Sequence, residues 1–336
     1  YDATLTSRYM EKRGVQFDGE FRYMKENFAG TSQIQFLNKD NESDIDNRYL
    51  LDINHKHDFG HGFTAKIEYE KVKSGDNNYF ADMGFLQNVE DVYDANRDTT
   101  FRQGYHSLFT NLAYTHFAKN TSKFNRHRFS VFNSSRATPG GHHYSRFTQA
   151  EYEMMFKNRS NLKFKVNNNY IELFSDFFYS SKDSLQIASY TYNIGEIEYR
   201  SDSRKSLGFA GRLLYGSFYS GMRSSVRLGI NYRTRPWGNF GLQVEYNKLE
   251  FPEPFADADL LLISPRIEIN FSKNIFWTTF LQYNTQADNF NINSRLQWRF
   301  KPMSDIFLVY TDNYAVEVFG QKNRAVVFKM NYLLNL

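Results

Sequence analysis

Apolar and polar residues alternate with a period of two through most of the chain, most clearly in NINSRLQWRFKP, residues 291–302. Ile292, Leu296 and Trp298 fall in one alternating set, whereas Arg295 falls in a wholly polar set. Because successive side chains of a strand point to opposite faces, this pattern predicts a strand with one apolar and one polar face. Such a strand suits a soluble sheet, and it equally suits a membrane strand with lipid on one side and water on the other.

Strand-like segments of this kind recur from one end of the chain to the other, separated by turn-forming clusters. In chain order they are residues 1–11, 14–24, 28–38, 47–57, 61–72, 99–119, 125–135, 143–157, 161–174, 190–200, 206–220, 224–233, 240–251, 265–271, 275–285, 291–302, 305–314 and 323–336. Most reach the roughly 9–11 residues that a membrane-spanning strand needs, whereas soluble strands average about 5–6. The lengths therefore favour the membrane interpretation.

A closed sheet satisfies the backbone in lipid, because every N–H and C=O group is paired and no edge is left open. We therefore predict an all-β fold, a transmembrane antiparallel up-and-down β-barrel of 16 or 18 strands, with 14 as the third choice. Residues 1–336 are predicted to form this single outer-membrane barrel. A soluble all-β fold is the alternative.

The connections divide into two kinds. The short joins KPMS, RPWGN and SKN resemble periplasmic turns, whereas residues 73–98, 176–188 and 251–262 resemble outer loops. The stretch YFADMGFLQNVE within the first of these is either loop or a further strand. Pro265 is placed at the beginning of its strand, because proline removes one ladder donor.

Composition supports a barrel. The aromatic share is 18%, with 24 Tyr and 33 Phe, which is typical of aromatic girdles at membrane interfaces. The mean hydropathy of −0.63 reflects the polar lumen and loops, and no apolar run reaches the length of a membrane helix. The absence of cysteine excludes disulfides and thiolate chemistry, and a net charge of +4 does not indicate nucleic-acid binding. Because Tyr1 already begins a strand-like segment, we expect an export signal to have been removed.

Arginines on the polar face are the first candidate site. The lumen-facing basic residues are predicted to be Arg227, Arg233, Arg266, Arg295 and Arg299, with Glu245 and Glu268 as acidic partners. A ring of arginines would favour anions at a constriction. A cross-strand ladder of opposite charges would neutralise them, and we favour the ladder.

Aromatic residues on the apolar face are predicted to lie at the lipid interface. They are Tyr232, Tyr246, Trp298, Phe300, Phe328 and Tyr332. The pairs Phe276 with Trp277 and Tyr310 with Tyr314 fit the same girdle, or else stack on sugar rings along a transport route.

Metal and catalytic sites are not predicted. His55, His57 and His61 lie close together in HKHDFGH, but the flanking glycines indicate a hairpin turn. The histidines of GGHH, residues 140–143, are likewise placed in a loop. The acidic stretches 40–46 and 91–98 lack an ordered calcium-ligand spacing and are interpreted as solvated loops. No nucleophile, base and acid stand in a recognisable order, so we expect neither an enzyme nor a cofactor.

The opening segment YDATLTSRYMEKRGVQFDGEFRYM, residues 1–24, resembles the first barrel strands of LptD, the lipopolysaccharide-transport family, as does DNNYFADM, residues 76–83. This resemblance covers about residues 1–85. It implies lipopolysaccharide as a partner and a seam, between strand 1–11 and strand 323–336, through which lipid leaves sideways. The barrel of that family is larger than this chain can make.

Residues 86–336 resemble a different family. The segments YDANRDTTFRQGY, FNRHR, RPWGNFGLQVEYN, residues 260–314, and KNRAVVFKMNYLLNL resemble the C-terminal barrel of Bacteroidota outer-membrane proteins of unassigned function. Those proteins carry a carbohydrate-binding family-nine-like domain upstream. The two resemblances together imply a fused barrel or shared ancestry of the opening strands.

These observations predict a pore in the bacterial outer membrane, or the membrane module of a surface-glycan-handling protein. The alternatives are a lateral gate of the lipopolysaccharide-export type and a non-conducting structural anchor. The expected partners are outer-membrane lipids and lipopolysaccharide, with a lipoprotein or plug as a further possibility.

Overall fold

A computed structural model of the chain describes residues 1–42, 46–73, 91–94, 99–102, 104–138, 140–179 and 184–334. The regular secondary structure of these residues consists of 22 strands. Their bounds are β1 Asp2–Met10, β2 Gly14–Met24, β3 Phe28–Leu37, β4 Arg48–Gly60, β5 Phe63–Lys73, β6 Asp91–Asp94, β7 Thr99–Arg102, β8 His106–Phe117, β9 Phe124–Ala137, β10 His143–Phe156, β11 Asn161–Glu172, β12 Phe177–Phe178, β13 Ser184–Leu185, β14 Ser189–Arg200, β15 Leu207–Phe218, β16 Gly221–Thr234, β17 Gly238–Glu250, β18 Ala258–Asn270, β19 Ile275–Asn284, β20 Asn289–Lys301, β21 Ser304–Tyr314 and β22 Gln321–Asn331.

Eighteen of these strands belong to one sheet, and the other four form two small hairpins, β6 with β7 and β12 with β13. The predicted class is confirmed: the fold is all-β, antiparallel and up-and-down, with the higher of the two strand counts that we favoured. The described part of the chain contains no helix of the length and hydropathy that a membrane-spanning helix requires.

The chain divides into two compact units, the first built chiefly from residues 1–154 and the second chiefly from residues 195–336. In the first unit, β1 to β5, β8 and β9 pair antiparallel in chain order, with β8 taking the place beside β5. In the second unit, β15 to β22 pair in the same way. Each unit is thus a meander of neighbouring hairpins.

The apolar face of the second unit is its more exposed face, the reverse of a soluble protein. Along β16, Leu228, Ile230 and Tyr232 are 55%, 41% and 48% exposed, whereas Arg227 and Asn231 on the other face are half-buried. A row of large exposed apolar side chains over strands of this length is the surface that lipid covers. We call these the apolar face and the polar face.

The first unit shows the same exposed apolar side chains, among them Leu5, Phe17 and Leu112. It also holds a small buried cluster, in which Leu37, Leu50, Val72 and Tyr105 pack together with Met10 beside them. Three of these residues have strand-register partners on the polar face, since Leu37 is opposite Gln16 and Leu50 is opposite both Gln35 and Val72. The cluster therefore fills part of the polar face.

The connections in each unit fall at two ends. In the second unit, the RPWGN, SKN and KPMS joins all lie at the end that we call the short-turn end, as the alternation of antiparallel strands requires. Residues 251–257 and 315–320 connect strands at the opposite end, which we call the long-loop end.

Several predicted boundaries are wrong. Strand β18 begins at Ala258, so residues 258–262 are strand and not loop. Pro265 therefore lies inside β18 opposite Leu242, and the ladder to β19 is interrupted at residues 264–265, where proline cannot donate. Residues 99–102 form a separate hairpin strand, and the next sheet strand begins only at His106. Most of residues 73–98, including DNNYFADM, lie outside the described residues.

Candidate functional site

The polar face of the second unit carries cross-strand ion pairs. Arg227 on β16 is directly opposite Glu245 on β17, and their side chains pair at 2.6 Å. Arg266 pairs with Glu268, two positions along β18, also at 2.6 Å. The pair of Arg227 with Glu245 is a cross-strand rung of the expected ladder, whereas Arg266 is compensated within its own strand.

Arg299 is also compensated, by an acid that the sequence did not single out. Its register partner on β21 is Asp305, and the two side chains lie 3.2 Å apart. A further rung on the same face was missed, since Arg212 on β15 pairs with the nearly buried Glu196 at 2.6 Å. Glu196 alternates with Ile197 and Tyr199 in the sequence, which was an available signal, whereas Asp305 precedes a continuous apolar run and gave none.

Arg233 and Arg295 behave differently. Arg233 donates to the backbone carbonyls of Ser203 and Lys205, the second at 2.9 Å. Within the described part of the chain, the side chain of Arg295 has neither an ion pair nor a hydrogen bond. Arg235, in the adjoining turn, is likewise without a partner among those residues. Carboxylates therefore compensate three of the five predicted arginines, two of them across strands, and the other two have no acidic partner among the described residues.

Small residues open a hollow on this polar face. Gly208, Ala210, Gly229 and Gly241 come together on β15 to β17, and a hollow of about 500 Å³ lies over them. Arg200, Arg233 and Arg266 stand at its margin. A short side chain at each central position leaves room that a larger residue would fill.

A second hollow of about 430 Å³ lies at the short-turn end of the same unit. Four arginines line it, with a single carboxylate from Glu268. The arginines are Arg233, Arg235, Arg295 and Arg299. We call this the arginine hollow.

The predicted interface aromatics lie on the apolar face. Trp298 and Phe300 are in edge contact, and Phe300 stacks on Tyr332 with ring centroids 6.2 Å apart, all close to the short-turn end. Tyr232 also lies close to that end. Tyr246 lies towards the long-loop end, where its hydroxyl donates to Asp259. Phe328 is exposed, but it lies two residues further from the short-turn end than Met330, which is level with Trp298.

A polar cluster on the apolar face was missed. Asp312 on β21 is fully buried and pairs with Arg324 of β22 at 2.8 Å. Its Oδ2 also accepts hydrogen bonds from the hydroxyls of Tyr310 and Tyr314, at 2.6 and 2.7 Å. These tyrosines therefore shield an ion pair near the long-loop end, in addition to any girdle role.

The histidines lie where a hairpin places them. His55 bonds to the hydroxyl of Tyr23 at 2.7 Å, and His61 occupies the turn between β4 and β5 with a φ of 52°. Within the described residues, no group of three or more His, Asp or Glu side chains is placed to hold a metal ion. His142, directly before β10, bonds to Glu172 at 2.6 Å.

Two loop carboxyl groups have a lowered pKa. Arg204, bonded to both oxygens of Asp202, holds the pKa of that carboxyl well below its usual range. Asp288 accepts the backbone N–H groups of Glu317 and Val316, and these bonds lower the pKa of its carboxyl. The second arrangement ties the 285–288 turn to the 315–320 loop at the long-loop end.

Comparison with known proteins shows a partial relationship to LptD. The chain is 42% identical over 84 residues to the LPS-assembly protein LptD of Nitrosomonas eutropha, covering 25% of this chain and 11% of that relative. It is 36% identical over 108 residues to LptD of Paraburkholderia xenovorans, covering 31% and 13%. The chain therefore spans only about a tenth of the length of the curated relatives it matches. The predicted LptD resemblance is confirmed as a partial similarity.

Among solved structures, the chain was matched to the ferric enterobactin receptor PfeA of Pseudomonas aeruginosa, a mutant form. It matches 98% of this chain and 71% of its own, with a TM-score of 0.39 and 9% identity. The CymD monoaromatic hydrocarbon channel matches 98% and 85%, with a TM-score of 0.22 and 9% identity. No family model matches the chain.

The exposed apolar faces and the partial match to LptD identify the chain as a β-barrel protein of the bacterial outer membrane, as the sequence predicts. Membership of the Bacteroidota family with its carbohydrate-binding domain stays a prediction. The predicted seam between residues 1–11 and 323–336 stays a prediction as well.

Proposed function

We propose that this chain forms a water-filled pore in the outer membrane, without catalytic activity, and that the polar face lines the pore. The observation that carries the proposal is the contrast between the two faces of β16, where apolar side chains are exposed and charged ones are half-buried. The polar face carries ion pairs and small residues, and such a surface stays hydrated. It therefore suits the passage of water and small solutes.

The proposed pore prefers anions weakly. Arg227, Arg266 and Arg299 are compensated by carboxylates, so they contribute little net field. Arg295 and Arg235 lack such partners among the described residues and leave positive charge at the short-turn end. A charged wall raises the local concentration of the opposite ion, and salt screens this effect over about 10 Å at 0.1 M.

Single-channel recording tests the pore. The refolded chain is inserted in a planar bilayer, and the reversal potential is measured across a salt gradient. Steady conductance with a reversal potential displaced towards that of the anion supports the proposal. A correctly folded barrel that never conducts would overturn it and favour the structural anchor, in which packed side chains such as the Leu37 cluster block the interior.

A second candidate is a role in lipopolysaccharide handling, favoured by the 42% identity to LptD over 84 residues. LPS binding to the protein in detergent, measured by co-migration on a native gel, tests it. Retention of LPS but not of phosphatidylethanolamine supports this role, and equal retention of both lipids rejects it.

The resemblance of residues 86–336 supports one further proposal, that the barrel serves as the membrane module of a surface-glycan-handling protein. Extraction of the intact protein from its native membrane, followed by glycan-array binding, tests this idea. An array without a single bound glycan would remove it.

A further inference from the structure

The arginine hollow has more basic groups than its carboxylates can neutralise. Glu268 is the one carboxylate in its lining, and both oxygens of Glu268 are already engaged. Oε1 accepts the guanidinium of Arg266 at 2.6 Å, and Oε2 accepts the side-chain amide of Asn239 at 3.2 Å. Because Glu268 is paired with Arg266, which lies outside the lining, it contributes little negative charge to the four arginines of the hollow.

The arginines of the hollow fall into two groups. Arg299 is paired with Asp305, and it also lies over the ring of Phe276 at 5.9 Å. The side chains of Arg235 and Arg295 have neither an ion pair nor a hydrogen bond within the described ranges, and both residues are exposed to solvent. Arg233 uses its guanidinium on backbone carbonyls, which leaves its charge uncompensated.

The strand register explains why these groups meet. Arg233 is opposite Asn239, Asn239 is opposite Glu268, Glu268 is opposite Thr278, and Thr278 is opposite Arg295. One row of the polar face therefore carries an arginine at each end, with hydrogen-bonding side chains between them. The RPWGN turn adds Arg235 beside this row.

A guanidinium presents a planar fork of donors that matches two oxygens of a phosphate or carboxylate group. Arg235 and Arg295 provide two such forks without carboxylate partners, and Thr278 adds a hydroxyl to the same lining. These groups suit a compact anion with several oxygens. A monovalent halide has no geometry to match the forks, and a dianion gains more from two positive charges than a monoanion does.

We propose that the arginine hollow binds the phosphate dianion, free or carried on a small water-soluble solute, with Arg235 and Arg295 as its principal donors. The proposal rests on the pore function for access of the solute from water. Binding itself is measurable whether or not the barrel conducts.

Equilibrium binding of inorganic phosphate to the refolded full chain in detergent, by isothermal titration calorimetry at low ionic strength, tests the site. We expect saturable binding with one phosphate per chain. Arg295→Gln and Arg235→Gln should each weaken it about tenfold or more, since each removes a charge-assisted hydrogen bond. Arg295→Lys keeps the charge but loses the fork, and it should fall between Arg295→Gln and the wild type.

Arg227→Gln is the matched control, because it removes one positive charge from the same polar face outside the hollow. It should change phosphate affinity less than threefold. Equal weakening by Arg227→Gln and Arg295→Gln would show attraction to net charge alone and would overturn the site. Wild-type protein without saturable binding would also overturn it.

Folding of each variant is verified by the mobility difference between boiled and unboiled samples, and Arg235→Gln is the variant least exposed to folding failure because it lies in a turn. Failure of the site and failure of the pore are distinguishable. Phosphate binding by a barrel that does not conduct supports the hollow and rejects the pore. Steady conductance in a protein that does not bind phosphate supports the pore and rejects the hollow.

Discussion

Neutralising Asp40 should destabilise the first unit more than any other single change to a carboxylate in its loops. Asp40 lies in the loop between β3 and β4, and its side chain is fully buried. Its Oδ2 lies 3.1 Å from the guanidinium of Arg48, which is equally buried, and 2.6 Å from that of Arg13. Its Oδ1 accepts the backbone N–H of Glu42 at 3.2 Å. Asp40→Asn retains the size of the side chain and removes the charge.

The expected magnitude follows from these distances. Two opposite charges 3.1 Å apart attract by about 5 kcal/mol at an effective dielectric of about 20. Removing one partner of a buried pair, so that the other charge stays buried, typically costs about 3–5 kcal/mol. We therefore expect Asp40→Asn to lower the free energy of unfolding by about 3–5 kcal/mol. With a slope of about 3 kcal/mol per molar, the urea midpoint falls by about 1–2 M.

Urea unfolding of the refolded protein in detergent, followed by far-UV circular dichroism and by gel mobility, measures this change. Asp46→Asn is the matched control, because Asp46 is an exposed residue of the same loop, and it should alter stability by less than about 0.5 kcal/mol. Replacing the pair together, as Asp40→Leu with Arg48→Met, should recover most of the loss, since an apolar pair leaves no buried charge. Equal stability of Asp40→Asn and Asp46→Asn would refute this reasoning.

Three further predictions concern other sites. Hydrogen bonds from backbone N–H groups lower the pKa of Asp288 below 3.8, so the stability that these bonds provide is full above about pH 4 and is lost as the pH falls through the lowered pKa. Pepsin cleavage of the 315–320 loop should therefore become faster towards acid pH, and Asp288→Asn should abolish this pH dependence. Gly62→Ala brings a Cβ into the backbone carbonyl of Thr115 at a φ of +88° and should cost about 3 kcal/mol or more, whereas Gly60→Ala, at +77° in open space, should cost about 1–2 kcal/mol. Equal losses of the free energy of unfolding in urea titrations would show that the clash relaxes. Glu245→Gln leaves Arg227 uncompensated and should displace the reversal potential of the pore further towards the anion, and an unchanged potential would show that this ion pair does not face the conducting path.

The strands were predictable because side-chain direction in a strand is a local property. Along β16 and β20 the period of two survives without interruption, and the structure places both strands within three residues of the predicted bounds. The beginning of β18 was missed for a physical reason. In residues 258–263 leucines occupy both faces, since Leu260 and Leu262 lie on the polar face, so the alternation disappears and the segment resembles a loop.

The site was only partly predictable, because ion pairs depend on register and on side-chain reach. The sequence named Arg227 among the basic residues and Glu245 among the acidic ones, but only the register of β16 and β17 places the two opposite each other. Predicting the partner of Arg299 would have required the position of Asp305 across a turn. Predicting the burial of Asp312 would have required the positions of the tyrosines that cover it. Periodicity carries neither kind of information.

The central claim is that the polar face of the sheet meets water and the apolar face meets lipid. Cysteine scanning along β16 tests it directly, because the chain has no native cysteine to react in the background. In liposomes, cysteines at 227, 229 and 231 should react with a membrane-impermeant thiol reagent, and those at 228 and 230 should react only after detergent unfolding. Alternating reactivity in this phase supports the account, whereas uniform reactivity along the strand, or alternation in the opposite phase, would contradict it.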